Sequence, residues 1–134
     1  METDFKILYI SKWQEYMNKY GNDITALTLM LFKEEDLKRM PFDKDFYLEV
    51  YNFKVKIDLT NKSEIHSFLE YLFRNFNCEE NPLANPDKQK LIRDNNRHTS
   101  MSVGDLVLLG EKLYIVASIG FIEVKDENIK KRFL

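Results

Sequence analysis

The chain has 134 residues, 44% of them hydrophobic and 31% charged, which is the composition of one ordinary folded domain and excludes a disordered or membrane-embedded chain. With 20 basic against 22 acidic residues the net charge is −2, excluding both the basic excess of a general nucleic-acid binder and the strong acidic excess of a DNA mimic. The one cysteine, Cys78, excludes an internal disulfide and points to a reducing compartment. The N-terminal METDFKILYI carries an apolar run too short for a secretory signal, and no run is long enough to span a membrane, so a cytoplasmic protein is expected.

In chain order, Phe5 to Ile10 reads as a first strand, and Ser11 is a candidate cap for the helix after it. Trp13, Met17 and Tyr20 form a stripe at helical spacing with Tyr16 beside it, and Gly21-Asn22 is the expected stop. Residues 24–32 fit either period; strand is the reading taken for 26–32. Lys33 to Met40 predicts a short helix with Leu37 and Met40 inward, ended by Pro41. Phe46 to Leu59 predicts one or two strands, in which Phe53, Val55 and Ile57 face inward and Lys54, Lys56 and Asp58 outward.

Asn61 to Asn77 is the strongest helix. Ile65, Phe68, Leu69, Leu72, Phe73 and Phe76 make one wide apolar stripe, and Asn61 with Glu64 is a capping pair. Cys78 to Asn96 is polar and reads as a surface loop with at most a helical turn near Asp87 to Ile92. Leu106–Leu109 and Leu113–Ala117 are unbroken apolar runs split by Gly110-Glu111-Lys112, a hairpin in which Gly110 takes a positive φ. Because both faces of these runs are apolar, the sheet is expected to be covered on both sides, or the two runs to be at least its central pair. Lys125 to Leu134 is a charged tail with a final helical turn.

A resemblance is carried by His98, Ser100, Met101, Ser102, Val103, Gly104 and Asp105, then by Tyr114, Val116, Ser118, Gly120 and Phe121, and upstream by a helix ending Phe76-Asn77. Together these resemble the YodL-like domain, a small module of bacterial plasmids, conjugative elements and phages. The chain departs from that pattern at Ala117, where the family usually has Asp, at Ile119, where it usually has Phe, and by a long insert after Asn77. The resemblance covers 46–124 of a single domain 1–134, leaving 1–45 as an N-terminal extension and 79–98 as a polar loop. The family has no established reaction, so the resemblance implies a mobile-element setting rather than a mechanism.

The chemistry-bearing residues are few. His66 lies on the charged side of the strong helix and reads as solvent-exposed. His98 with Cys78 or Asp105 is the one grouping that could serve nucleophilic catalysis, and no spacing requires it. One Cys and two His do not make a structural zinc site, and neither a P-loop nor a dinucleotide motif occurs. Ser102 and Asp105 read as turn-forming groups that bond nearby backbone, with Gly104 at a positive φ.

The expected fold is α+β: a small antiparallel sheet with the long amphipathic helix packed on one face. The expected function is that of a non-enzymatic protein-binding accessory protein of a mobile element or phage. Following the resemblance, it would inhibit a bacterial defence system of the anti-CRISPR or anti-restriction kind by occluding a protein partner, for example a CRISPR effector nuclease. No catalytic, metal or cofactor residue is assigned. The partner-facing residues are Lys88, Lys90, Arg93, Arg97 and His98 of the loop, with Tyr47 and Tyr51. The alternative is a nucleic-acid binder using the basic 88–97 loop, whose affinity would fall steeply with salt.

Overall fold

A computed structural model describes residues 2–21, 30–78, 81–95 and 97–134. Five strands, β1 (Glu2–Ile10), β2 (Tyr47–Lys56), β3 (Leu106–Leu109), β4 (Lys112–Val116) and β5 (Phe121–Val124), form one antiparallel sheet in the order β2-β1-β3-β4-β5. The α-helices described are α1 (Trp13–Tyr20), α2 (Lys62–Asn75), α3 (Pro86–Asp94) and α4 (Glu127–Phe133), with 3₁₀ turns at Glu34–Arg39 and Lys44–Phe46. This is the expected α+β class. Among the described residues no helix is long and apolar enough to cross a membrane.

The two unbroken apolar runs become the middle of the sheet because they have cover on both sides. On one face Phe5, Ile7, Tyr9, Val107 and Leu109 share a core with Ile65, Leu69, Leu72 and Phe76 of the α2 segment and with Ile92 of α3. On the other, Leu8, Leu106, Leu108, Leu113 and Ile115 pack with Leu37, Met40, Phe42 and Phe133. Burying each such side chain contributes roughly 1.5–3 kcal/mol before the entropy cost of ordering it. Gly110 joins β3 to β4 at φ 60, and a Cβ there would lie 3.2 Å from both Leu59 Cδ1 and Thr3 Cγ2. The position therefore favours glycine for its conformation, and an added Cβ would also press on the ends of those two side chains.

Helix α2 begins where expected: the Asn61 side chain accepts from the Glu64 N–H at 3.1 Å. The Asn61 N–H donates instead to the Asp58 carbonyl, at 3.1 Å. Phe73, assigned to the inward stripe, sits on the flank of the helix, 39% exposed, with its ring 6.4 Å from that of Phe121. Leu37 and Met40 are inward as the spacing predicts, although the segment closes into a 3₁₀ turn. The C-terminal tail forms α4, capped by the Asp126 side chain, and Phe133 anchors it in the core.

Three local expectations are corrected, and a fourth lies mostly outside the described residues. Ser11 does not cap α1; its N–H and hydroxyl both donate to the Phe46 carbonyl, at 2.7 and 3.1 Å, and Lys12 opens the helix at φ 53. The buried centre of α1 is Tyr16, packed against Phe46, rather than the Trp13–Met17–Tyr20 stripe. The stretch 78–96 is more than a surface loop. Asn85 caps α3 with Pro86 in its first turn, and Leu83 and Ile92 are buried. Proline suits that position because the first helical N–H needs no partner within the helix. The strand expected over 26–32 lies mostly outside the described residues; Met30, Leu31 and Phe32 are turn and coil.

Candidate protein-interaction site

The sheet order leaves β2 at an edge, where it pairs with β1 alone among the described residues. Opposite residues of antiparallel strands share a face, so the register assigns the side chains. Phe5 faces Phe53 and Ile7 faces Tyr51, placing Tyr51 and Phe53 on the α2 side. Glu2 faces Lys56 and Asp4 faces Lys54, placing both lysines on the opposite side.

The register slips between Ile7 and Leu8: Ile7 is opposite Tyr51 and Leu8 opposite Glu49, so Val50 is the extra residue of a bulge. A one-residue slip reverses the parity of every side chain beyond it. Tyr47 and Tyr51, four residues apart, therefore point to opposite faces. Tyr51 lies 5.4 Å from the Phe76 ring in the first core, and Tyr47 lies 5.3 Å from Phe133 in the second.

An aromatic ledge follows along the β2 edge. The Tyr51 ring is 5.9 Å from Phe5 and 6.2 Å from Phe53, and Phe68 of α2 meets Phe5 edge-on at 5.2 Å. The inner members are held in place by the core. Phe53, the outermost, is 62% exposed, and Tyr71, three residues beyond Phe68 on the same flank of α2, is 57% exposed. An edge strand offers unpaired backbone donors and acceptors, and among the described residues β2 is such an edge, beside large, positioned apolar rings.

The residues expected to face a partner separate sharply. Arg97 is no surface residue. Its side chain is 0% exposed, Nη1 donates to Asp105 Oδ1 at 2.8 Å and to the Ile10 carbonyl at 2.7 Å, and Nη2 donates to Asp105 Oδ2 and the Ser100 carbonyl. The guanidinium also lies over the Tyr9 ring at 4.3 Å. Asp105 further accepts from the N–H groups of Ile10 and Ser102, at 2.9 and 2.7 Å. Burial pushes its carboxyl up, against the pull of the Arg97 guanidinium. The pair ties the segment after α3 to the end of β1. Tyr47 is likewise corrected to a structural role: its hydroxyl donates to the Gly104 carbonyl at 2.8 Å, and burial raises it well above the usual phenol range.

Of the remaining basic residues, Lys90 pairs with Asp94 at 3.0 Å, Lys88 is half-buried, and Arg93 is exposed on α3. His98 is exposed, its imidazole pushed down by desolvation and by neighbouring Arg97. The basic 88–97 loop thus loses its last arginine to the core. The Cys78, His98 and Asp105 grouping finds its carboxylate already engaged by Arg97, and the Cys78 thiol donates to the Asn75 carbonyl at 3.2 Å. Among the described residues no group of three His, Cys, Asp or Glu is placed to hold a metal ion. Tyr51 is the expected partner residue that the ledge includes. Phe53, which the alternation had turned inward, and Tyr71 are the exposed members that pattern reading missed. Lys54 and Lys56 beside Phe53 were the available signal, because lysines are common guards of sheet edges.

No protein-family model matches the chain, and no solved structure matches it. It is 40% identical over 90 residues to "Uncharacterized protein R785" of Acanthamoeba polyphaga mimivirus, a match spanning 67% of this chain and 80% of the relative. The resemblance to the bacterial YodL-like family is overturned by this result, since the similarity found leads to a giant virus of eukaryotes. Several of the residues that suggested it have local structural duties here: Asp105 holds Arg97, and Gly104 and Gly120 turn the chain at φ 96 and 68.

Proposed function

The chain belongs to the family of the mimivirus protein R785, and from that premise we propose that it is a non-enzymatic protein-binding module, receiving an extended segment of another polypeptide along the β2 edge. The observation that carries this reading is Phe53, a large ring 62% exposed on the strand that, among the described residues, ends the sheet, and backed by aromatic neighbours. An added strand gains main-chain hydrogen bonds from the edge, while Tyr51 and Phe53 on one face discriminate among its alternate side chains. Aromatic anchors suit this task because they bring large contact area with few torsions to freeze. The action is occlusion of whatever surface the bound segment serves. A bacterial defence target has no part in the proposal, because it derived from the YodL-like resemblance alone.

The test is selection of peptides from a random display library, followed by affinity measurement against Phe53→Asp. That side chain is largely exposed, so the variant should keep its urea midpoint and lose about tenfold or more in affinity, the effect of removing an interface anchor. In the complex, amide exchange along β2 should slow. Affinity undiminished by Phe53→Asp, or unchanged exchange along β2, refutes strand addition.

A further inference from the structure

At the other end of the sheet, a cleft of about 270 Å³ opens between the first turns of α2 and the β4–β5 pair. Its floor is apolar, formed by Ile65, Leu69 and Phe121. Around it stand Lys62 from α2, Lys112 from β4 and Lys125 just after β5. Glu34, Glu123 and the imidazole of His66 complete the polar lining. Among the described residues no carboxylate comes within 4.0 Å of any of the three lysines, although two carboxylates share the cleft. Three lysines against two glutamates leave the lining with a surplus of one positive charge when His66 is neutral.

Tyr114 also lines the cleft, cross-strand from Glu123. Burial and then the Glu123 charge push its hydroxyl up to about 12, so at neutral pH it stays protonated and can donate a hydrogen bond. Ligand sites combine an apolar lining with a few placed polar groups, and this volume is close to the lower end of their usual range, about 300 Å³.

We infer that this cleft binds a small organic anion, one carboxylate or phosphate group on a single-ring apolar body, with the anion at Lys62, Lys112 and Lys125 and the ring on the Ile65–Phe121 floor. Unpaired lysines favour the charge, and the floor favours the ring; each half alone is weak, because exposed lysines bind simple ions poorly in salt. The site does not depend on the β2 edge, which lies at the opposite side of the sheet.

The experiment is an amide NMR titration of the whole chain with phenyl phosphate, benzoate, inorganic phosphate and benzyl alcohol. At least one of the aromatic anions should shift resonances of Lys62, His66, Lys112, Tyr114 and Glu123 in a saturable way, with a dissociation constant of about 1 mM or below. Inorganic phosphate and benzyl alcohol should bind at least about tenfold more weakly, each lacking half of the interaction. The double variant Lys62→Ala, Lys125→Ala changes two exposed side chains. It should keep its thermal unfolding and lose about tenfold in affinity. Unsaturable or scattered shifts, inorganic phosphate binding as tightly as both aromatic anions, or full affinity in the double variant each overturn the assignment. Whether benzoate or phenyl phosphate binds better identifies which anionic group the cleft takes.

Discussion

Replacing Arg97 with methionine is the most incisive perturbation of this fold. Methionine restores much of the side-chain volume and deletes the charge. The Asp105 carboxylate would then stay buried with two N–H donors, those of Ile10 and Ser102, and no counter-charge. The carbonyls of Ile10 and Ser100 would each lose a donor, and the Tyr9 ring its cation. Removing one partner of a buried pair costs about 3–5 kcal/mol, because the remaining charge is left uncompensated. With a urea slope of about 1.5 kcal/mol per M, that is a fall in midpoint of about 2–3 M. The control is Lys90→Met, which breaks the exposed Lys90–Asp94 pair and should cost no more than about 0.5 kcal/mol. The assay is urea unfolding followed by circular dichroism, with equal slopes in all three proteins. If Arg97→Met unfolds at the same urea concentration as Lys90→Met, the buried pair does not hold the structure together as argued.

Two further outcomes are expected. Gly110→Ala must hold alanine at φ 60 and place a Cβ 3.2 Å from Leu59 and Thr3, so it should lose about 1–2 kcal/mol from the conformation alone, read as a lower urea midpoint. An unchanged midpoint would mean that the β3–β4 turn relaxes freely. Acid sensitivity should come from carboxyls held below the ordinary range. The N–H groups of Phe32 and Lys33 lower Asp36, hydrogen bonds from Lys19 and Tyr20 lower Asp43, and Thr60 lowers Asp58. Groups depressed on folding contribute stability above their unfolded value, about 3.9 for Asp, and lose that contribution as pH falls through the folded value. Urea midpoints should therefore drop below about pH 4, and Asp36→Asn should make that drop shallower than in the parent. Parallel profiles for the two proteins would refute a stabilising role for Asp36.

Much of the architecture was legible locally. The β3–β4 hairpin followed from two apolar runs around Gly110, and α2 from its stripe and its Asn61 cap, because each is set by contacts a few residues apart. Helix α3 was under-read because its polar surface leaves Ile92 as its one buried residue; Ile92, and Leu83 ahead of the helix, are inward because they join the core beneath the sheet. The aromatic ledge was half legible. Tyr51 stood out as an aromatic, but Phe53 was assigned to the interior by an alternation that assumes a neighbour on both sides of its strand.

Composition and pattern by themselves determined that this polypeptide is a mixed helix-and-sheet domain with apolar central strands, since burial of those side chains has no other outlet. Tertiary structure alone decided which aromatics and charges remain available. The order of the strands put β2 outside, the bulge at Val50 turned Tyr47 away from Tyr51, and Asp105 drew Arg97 out of an apparently basic loop. Those choices depend on partners distant in the chain, 87 residues for Arg97 and Ile10, and a local pattern holds no record of such pairings.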